Sequence, residues 1–174
     1  MRDWNPAAHP GGRCLDTCVL INILATDRVD EILEAQASPM LVASVAVSEL
    51  RSENTVVVNQ QRRLRIVDLA SEELGLFVEY AAEVDDGEAA TIAICVRRRL
   101  QLVTDDRKAI SFAVSNGVSP PIAGTSDLLL QWAEVACPAP RLLRTVLEHI
   151  RDRASFVPPP SDPNRTWWLR MMQG

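Results

Sequence analysis

Short apolar runs alternate with segments of helical spacing along most of this chain. Consecutive β and α units of this kind pack as a mainly parallel sheet with helices on both faces. The alternation therefore predicts an α/β fold. We expect strands at 13–16, 40–43, 65–69 and 100–104, with a brief one at 122–124.

Capping residues and apolar residues at helical spacing predict the helices. Asp27 is expected to begin a helix that runs to Ala37, and Ser44 one that runs to about Glu53. Residues 54–65 are polar and predict an irregular segment, part of which (55–58) could be extended. The remaining helices are expected at 19–24, 71–81, from 85 or 86 to 99, 106–115, 125–136 and 141–153.

Acidic residues stand where the apolar runs end or where a helix begins. Asp16 ends the first run, and Asp105 and Asp106 follow a later one. Glu49 lies about one turn into the helix after the second strand, and Glu88 lies in the first turn of its helix. Sites in open parallel sheets form outside the carboxyl ends of the strands, so these positions can face one crevice. Because a divalent cation can pair with several carboxylates, the pattern indicates a metal-dependent phosphodiester hydrolase.

Each acid also has a local alternative role. Asp16 could cap the helix that follows it, and so could the acids after residue 104. Glu88 could simply complement a helix N-terminus. A solvated role suits Glu49 less well, because its neighbours in the sequence are apolar. The hypothesis of a metal site therefore rests on the convergence of the acids, and no single one carries it.

Length and charge limit the classes of protein. A chain of 174 residues fits one domain with a sizeable core. It has 18 basic and 23 acidic residues and a formal net charge of −5, so a phosphate-binding surface must be a local basic patch. There is no apolar stretch of signal-peptide or membrane-spanning length, which predicts a cytoplasmic protein with no membrane partner.

The four cysteines fit reduced thiols of an intracellular protein. Cys14 and Cys18 have a spacing that could suggest zinc. No second cysteine or histidine pair with ligand spacing accompanies them, which argues against a structural zinc site.

Four motifs resemble those of PIN domains. The nearest relatives in pattern are the VapC-like ribonuclease toxins and related prokaryotic PIN proteins, and the resemblance covers about residues 12–130. The resemblance implies a three-layer α/β/α sandwich, dependence on Mg²⁺ or Mn²⁺, and cleavage of RNA. The motifs, in family order, are Cys14-Leu15-Asp16-Thr17, Ala43-Ser44-Val45-Ala46-Val47-Ser48-Glu49-Leu50, Gly87-Glu88-Ala89-Ala90 and Leu102-Val103-Thr104-Asp105-Asp106-Arg107.

The resemblance also implies roles for individual residues. Asp16 is the acid of the first strand, Glu49 the second acid, and Asp106 the acid after the third strand. The adjacent Asp105 is a second candidate for the role of Asp106. Many family members place an aspartate in the helix expected from 85 or 86 to 99, where this chain offers Glu88, with Asp86 as the alternative. The resemblance further implies that two hydroxyls, those of Thr17 and Thr104, support the carboxylates or a metal-bound water.

Basic residues near these motifs could hold an RNA backbone. Arg107 is the best candidate because it neighbours Asp106, and Lys108 follows it. Arginines also occur at 97–99 and at 62, 63 and 65. The arginines at 97–99 could instead be a solvated helix end that complements the macrodipole.

The predicted function is that of a metal-dependent endoribonuclease, the toxin of a toxin–antitoxin pair with an antitoxin protein as partner. The toxin role comes from the resemblance alone. One alternative is a non-catalytic PIN-like binding or regulatory module. Another is a haloacid-dehalogenase-like phosphatase, which needs an acid two residues after its nucleophilic aspartate. This chain has Cys18 at that position, which counts against the phosphatase.

The chain is expected to divide into an N-terminal extension (1–11), a nuclease domain (12–157) and a Pro-rich tail (158–174). The tail carries Trp167, Trp168 and two methionines close to its end. Apolar bulk of this kind predicts a docked segment. It could pack across a homodimer, hold a partner protein, or fold back onto its own core.

Overall fold

A computed structural model describes residues 11–173 and shows an α/β fold with one four-stranded parallel sheet. The strand order is β3-β2-β1-β4, so β1 lies in the centre between β2 and β4. This confirms the predicted fold class. The strands are β1 (Arg13–Leu15), β2 (Met40–Ala43), β3 (Leu64–Val67) and β4 (Gln101–Val103).

Ten helices occur in the part of the chain that the structure describes. They are α1 (Thr17–Leu24), α2 (Val29–Glu34), α3 (Ser44–Ser48), α4 (Ser52–Asn59), α5 (Ser71–Tyr80), α6 (Asp86–Arg98), α7 (Arg107–Ser115), α8 (Thr125–Ala136), α9 (Pro140–Arg153) and α10 (Arg165–Gln173). Helix α6 packs on three of the strands, with α3 and α5 beside it. Helices α1, α2 and α8 pack against one another as a second helical layer.

Strands β1, β2 and β4 are apolar except for Arg13 and Gln101, and Arg13 donates a hydrogen bond to the side chain of Gln101 at 2.8 Å. Every residue of β1, β2 and β4 is buried, as expected for strands covered by helices on both faces. Strand β3 is an edge strand and is half exposed, with Ile66 at 39% exposure. Since β1, β2 and β4 are parallel and aligned in register, their carboxyl ends meet at one edge of the sheet.

Four local predictions were wrong. Asp27 does not cap α2: its backbone is left-handed, with φ 59°, and the N-cap residue is Arg28. The helix begun at Ser44 ends at Ser48, which leaves Glu49 as its C-cap rather than inside it. Residues 52–59 form α4 instead of an irregular or extended segment. The expected strand at 122–124 is reduced to a single bridge between Val103 and Ala123.

The C-terminal tail folds back onto the core. The indole of Trp168 is 1% exposed and packs edge-to-face on Phe156, with ring centroids 5.8 Å apart. Asp162 accepts hydrogen bonds from Ser126 at 2.9 and 3.0 Å, and Asn164 donates to Asp127 at 2.8 Å. The structure thus shows the fold-back arrangement among the three predicted for the tail, while the domain boundary at residue 157 stays a prediction.

Of the predicted N-terminal extension, residues 1–10 lie outside the described residues. No helix within residues 11–173 is long and apolar enough to cross a membrane.

Candidate metal centre

Asp16 is held rigidly at the carboxyl end of β1. It is 2% exposed, and its Oδ1 accepts the backbone N–H of Thr17 at 2.8 Å, so it caps α1. Its Oδ2 accepts the hydroxyl of Thr104 at 2.7 Å and the thiol of Cys18 at 3.2 Å. Asp16 is therefore both the N-cap of α1 and an acid at the carboxyl edge of the sheet. Its hydrogen bonds fix the orientation of its carboxylate.

Glu49 reaches from the end of α3 to the start of α6. Its Oε1 accepts the backbone N–H of Gly87 at 2.7 Å, and its Oε2 accepts the hydroxyl of Thr17 at 2.8 Å. A Cβ atom at position 87 would overlap the Glu49 carboxylate, so only glycine permits this close approach. Gly87 thus holds the carboxylate of Glu49 in position, and the next residue of the same motif is Glu88.

Glu88 is half-buried in the first turn of α6. Burial, followed by the negative charges of Asp16, Asp106 and Asp85, raises the pKa of Glu88 to about 7. A hydrogen bond from the backbone of Asp85 only partly offsets this. The structure therefore places Glu88 close enough to the carboxylates of Asp16, Asp106 and Asp85 for their charges to act on it. Asp86, the alternative to Glu88, is exposed and is not a leading cause of the raised pKa of Glu88.

The adjacent acids after β4 have different surroundings. Asp106 caps α7 by accepting the N–H of Ala109 at 2.9 Å and stays exposed beside Glu88. Asp105 turns instead towards α8, where it accepts from the backbone N–H of Thr125 and the side chain of Asn22, both at 3.0 Å. Burial raises the pKa of Asp105. Its oxygens are thus engaged in joining β4 to α1 and α8.

Hydroxyl and thiol groups connect the acids. Thr17 donates to Glu49, as described above, and Thr104 donates to Asp16 while accepting the N–H of Asp106 at 3.2 Å. Cys18 lies between Asp16 and Thr104 and contacts both side chains, and these contacts were not predicted from the sequence. Burial, together with the charge of Asp16, raises the pKa of this thiol to about 12, so it remains protonated. Its only signal in the sequence is its place one turn after the first strand.

The two predicted cationic residues lie next to the site but do not neutralise it. Arg107 donates weakly to Ser161 at 3.5 Å, and Lys108 donates to the carbonyl oxygen of Glu83 at 2.6 Å. Within residues 11–173, no lysine, arginine or histidine forms an ion pair with any acid of the site. These acids are Asp16, Glu49, Glu88, Asp105 and Asp106.

The donor set fits a hydrated hard cation. All the donors are carboxylate or hydroxyl oxygens, which Mg²⁺ prefers over nitrogen and sulfur. Among the described residues, no three His, Cys, Asp or Glu side chains form a closed group that could hold a metal ion. Mg²⁺ does not require one, because it usually retains several waters and binds through one or two carboxylates. The unneutralised negative charge is the stronger observation.

A family model described as a PIN domain matches residues 13–161, which is most of the chain. The chain belongs to the PIN-domain family. No curated protein and no solved structure matches it. PIN domains have a nuclease fold and generally use divalent metal ions. The family assignment agrees with the parallel sheet and with the acids at its carboxyl edge, and it confirms the resemblance drawn from the four motifs.

Proposed function

We propose that this PIN domain is a metal-dependent ribonuclease. The observation that carries the proposal is the group of carboxylates at the carboxyl edge of the sheet, which have no ion-pair partner among the described residues. Burial, followed by the charges of Asp16, Asp106 and Asp85, raises the pKa of Glu88 in this group to about 7. A site with this much unpaired negative charge is stabilised when a divalent cation binds. In a fold of the nuclease family, the use of such a site is the hydrolysis of a phosphodiester bond.

Asp16, Glu88 and Asp106 would hold the ion, directly or through water, and Glu49, the C-cap residue of α3, would act beside them. A bound Mg²⁺ or Mn²⁺ would supply an activated water and offset the charge that develops on the phosphate. Asp105 is the weakest candidate ligand, because Thr125 and Asn22 already occupy its oxygens. Thr17 and Thr104 would keep the carboxylates in fixed orientations.

RNA as the substrate and an antitoxin as the partner rest on the resemblance to VapC-like toxins. Arg107 and Lys108 support an RNA backbone near the site by position, since both begin α7 directly after Asp106. A homodimer would need a surface other than the buried Trp168.

The proposal is tested by three substrates under two conditions. Purified protein is incubated with a labelled RNA, a single-stranded DNA of the same sequence and p-nitrophenyl phosphate, each with Mn²⁺ and with EDTA. We expect cleavage of RNA that requires Mn²⁺. Release of p-nitrophenol without cleavage of RNA would support a phosphatase, and no reaction with any substrate would support a binding module. Either result contradicts the proposal.

A further inference from the structure

Four arginines flank helix α4 without any partner. Arg51 precedes the helix, and Arg62, Arg63 and Arg65 follow it. Within the described residues, none of the four guanidinium groups forms a hydrogen bond or an ion pair, whereas most other arginines of the chain are paired. We call these four residues the α4 arginine track.

The track is a strongly basic part of an acidic protein. Residues 51–67 contain four arginines and one acid, Glu53, which gives a formal charge of +4 − 1 = +3. The whole chain carries −5, so the remaining residues carry −5 − 3 = −8. Such a separation of charge attracts a polyanion to one side of the molecule.

The track runs away from the candidate metal centre. Arg51 lines a groove of about 480 Å³ that Glu49 also lines. The other three arginines border a cavity of about 310 Å³ at the amino ends of β2 and β3, and none of the described residues that line it is acidic. The eight residues of α4 span about 12 Å between the two places. The groove at Arg51 also contains Glu53 and Arg153, so the cavity beyond α4 is the more strongly basic part.

We infer that the α4 arginine track binds the phosphate backbone of RNA at several nucleotides' distance from the cleaved bond. Guanidinium groups bind phosphate bidentately. A guanidinium group without an ion-pair partner can bind phosphate without first breaking an existing contact. This inference rests on the proposed function, because it names RNA as the polyanion. It specifies the substrate class further: an RNA long enough to reach from the metal centre past α4, rather than a dinucleotide.

The test is the salt dependence of RNA binding without catalysis. Labelled single-stranded RNA of about 25 nucleotides is titrated with protein in EDTA at several KCl concentrations, and binding is measured by fluorescence anisotropy. The test variant carries Arg62→Gln, Arg63→Gln and Arg65→Gln. The control carries Arg141→Gln, Arg151→Gln and Arg170→Gln, which removes three exposed arginines from α9 and α10; of these, Arg151 forms an ion pair with the adjacent Asp152. Thermal melting checks that all proteins are folded.

We expect the test variant to lower the magnitude of the slope of log K against log[KCl] by about 2, since each phosphate contact contributes about 0.7 for a single strand. Binding in 100 mM KCl should weaken about tenfold or more, while the control changes by about twofold or less. Each single substitution should lower the magnitude of the slope by about 0.7. The single variants replace the triple variant in the test if the triple variant does not fold. An equal change in test and control variants would overturn the inference.

Two further results separate this inference from the proposed function. If the test variant loses RNA binding but the wild type cleaves no RNA, the arginine track stands and the nuclease proposal fails. If the wild type cleaves RNA and the test variant binds and cleaves the same RNA equally well, the nuclease stands and the track fails. Displacement of RNA by polyglutamate at equal charge concentration would also overturn the track, because it would favour an acidic protein partner.

Discussion

The carboxylate of Glu88 is half-buried, and burial together with the charges of Asp16, Asp106 and Asp85 raises its pKa from an ordinary value of 4.5 to about 7. The folded state therefore binds a proton at Glu88 more tightly than the unfolded state does. The resulting contribution to stability is fully present below about pH 4.5, and it is lost as the pH rises through about 7. Above pH 7 the metal-free protein keeps an ionised group that its surroundings disfavour.

Substitution Glu88→Gln removes that group and should have opposite effects on two measurements. At pH 8 in EDTA, we expect the variant to be more stable than the wild type by about 1 kcal/mol after allowance for solvent screening of a partly exposed group, which is about 2–4 °C in melting temperature. The difference should vanish at pH 4.5 or below. Titration with Mn²⁺ should show weaker binding by the variant.

Asp86→Asn is the matched control, because Asp86 lies in the same turn but is exposed. It should leave Mn²⁺ binding close to that of the wild type. If Glu88→Gln binds Mn²⁺ with normal affinity and Asp86→Asn binds it more weakly, the metal ligand is Asp86 and Glu88 is not.

Gly87 offers a second prediction at a single residue. A methyl group at this position would overlap the carboxylate of Glu49, so Gly87→Ala should displace Glu49 and lower RNA cleavage about tenfold or more. Gly75→Ala on α5 is the control, because no atom lies within 4 Å of its added Cβ. That change should stabilise the protein by about 0.5–1 kcal/mol and leave cleavage unchanged. Equal cleavage by both variants would show that Glu49 does not need its present position.

For single residues, the chemical type of the side chains at the site was more predictable than their orientation. The sequence identified the acids because each stands at the end of an apolar run or the start of a helix. It could not separate Asp105 from Asp106, since neighbouring residues differ only in the direction of their side chains. That direction is set by Thr125 and Asn22, which are distant in sequence. Cys18 was missed for the same reason, because its contacts depend on the tertiary fold.

Among the elements, helix α10 makes the clearest prediction. Trp168 is 1% exposed and Leu169 is 38% exposed, although the two are adjacent. Trp168→Ala should therefore cost about 3–5 kcal/mol of unfolding free energy through the loss of buried contacts with the core. Leu169→Ala should cost less than about 1 kcal/mol, as is usual for an exposed position. Thermal or urea unfolding measures both.

Light scattering provides the complementary measurement for α10. Because Trp168 packs within its own chain, Trp168→Ala should leave the mass of the particle unchanged. A smaller particle with an unchanged melting temperature would instead mean that α10 holds a second subunit.

The elements also show where sequence patterns were sufficient. Strands β1, β2 and β4 were predicted because each contains a short apolar segment, although β1 and β4 also bury Arg13 and Gln101. Helix α4 was missed because Val58 is its one buried residue, so there is no apolar stripe at helical spacing to detect. Contact with α3 places this helix, and local sequence does not reveal such a contact.

For the whole molecule, the distribution of charge links the fold to the proposed chemistry. The parallel sheet brings acids from four separate segments to one edge, and the segment around α4 concentrates unpaired arginines on another side. An acidic protein can therefore both bind a divalent cation and attract a polyanion, provided that the two regions stay apart. This arrangement depends on the topology, so no local part of the sequence displays it.

The most direct test of the account is single-turnover cleavage of RNA by Asp16→Asn. Asp16 is buried and bonded to Thr104 and Thr17, and asparagine conserves its shape while removing the charge. With Mn²⁺ present, we predict a fall in rate of about 100-fold or more, since the ion and its ligands supply several kcal/mol of transition-state stabilisation. The exposed Asp30→Asn on α2 should cleave like the wild type. Undiminished, EDTA-sensitive cleavage by a folded Asp16→Asn protein would contradict the assignment of the metal centre.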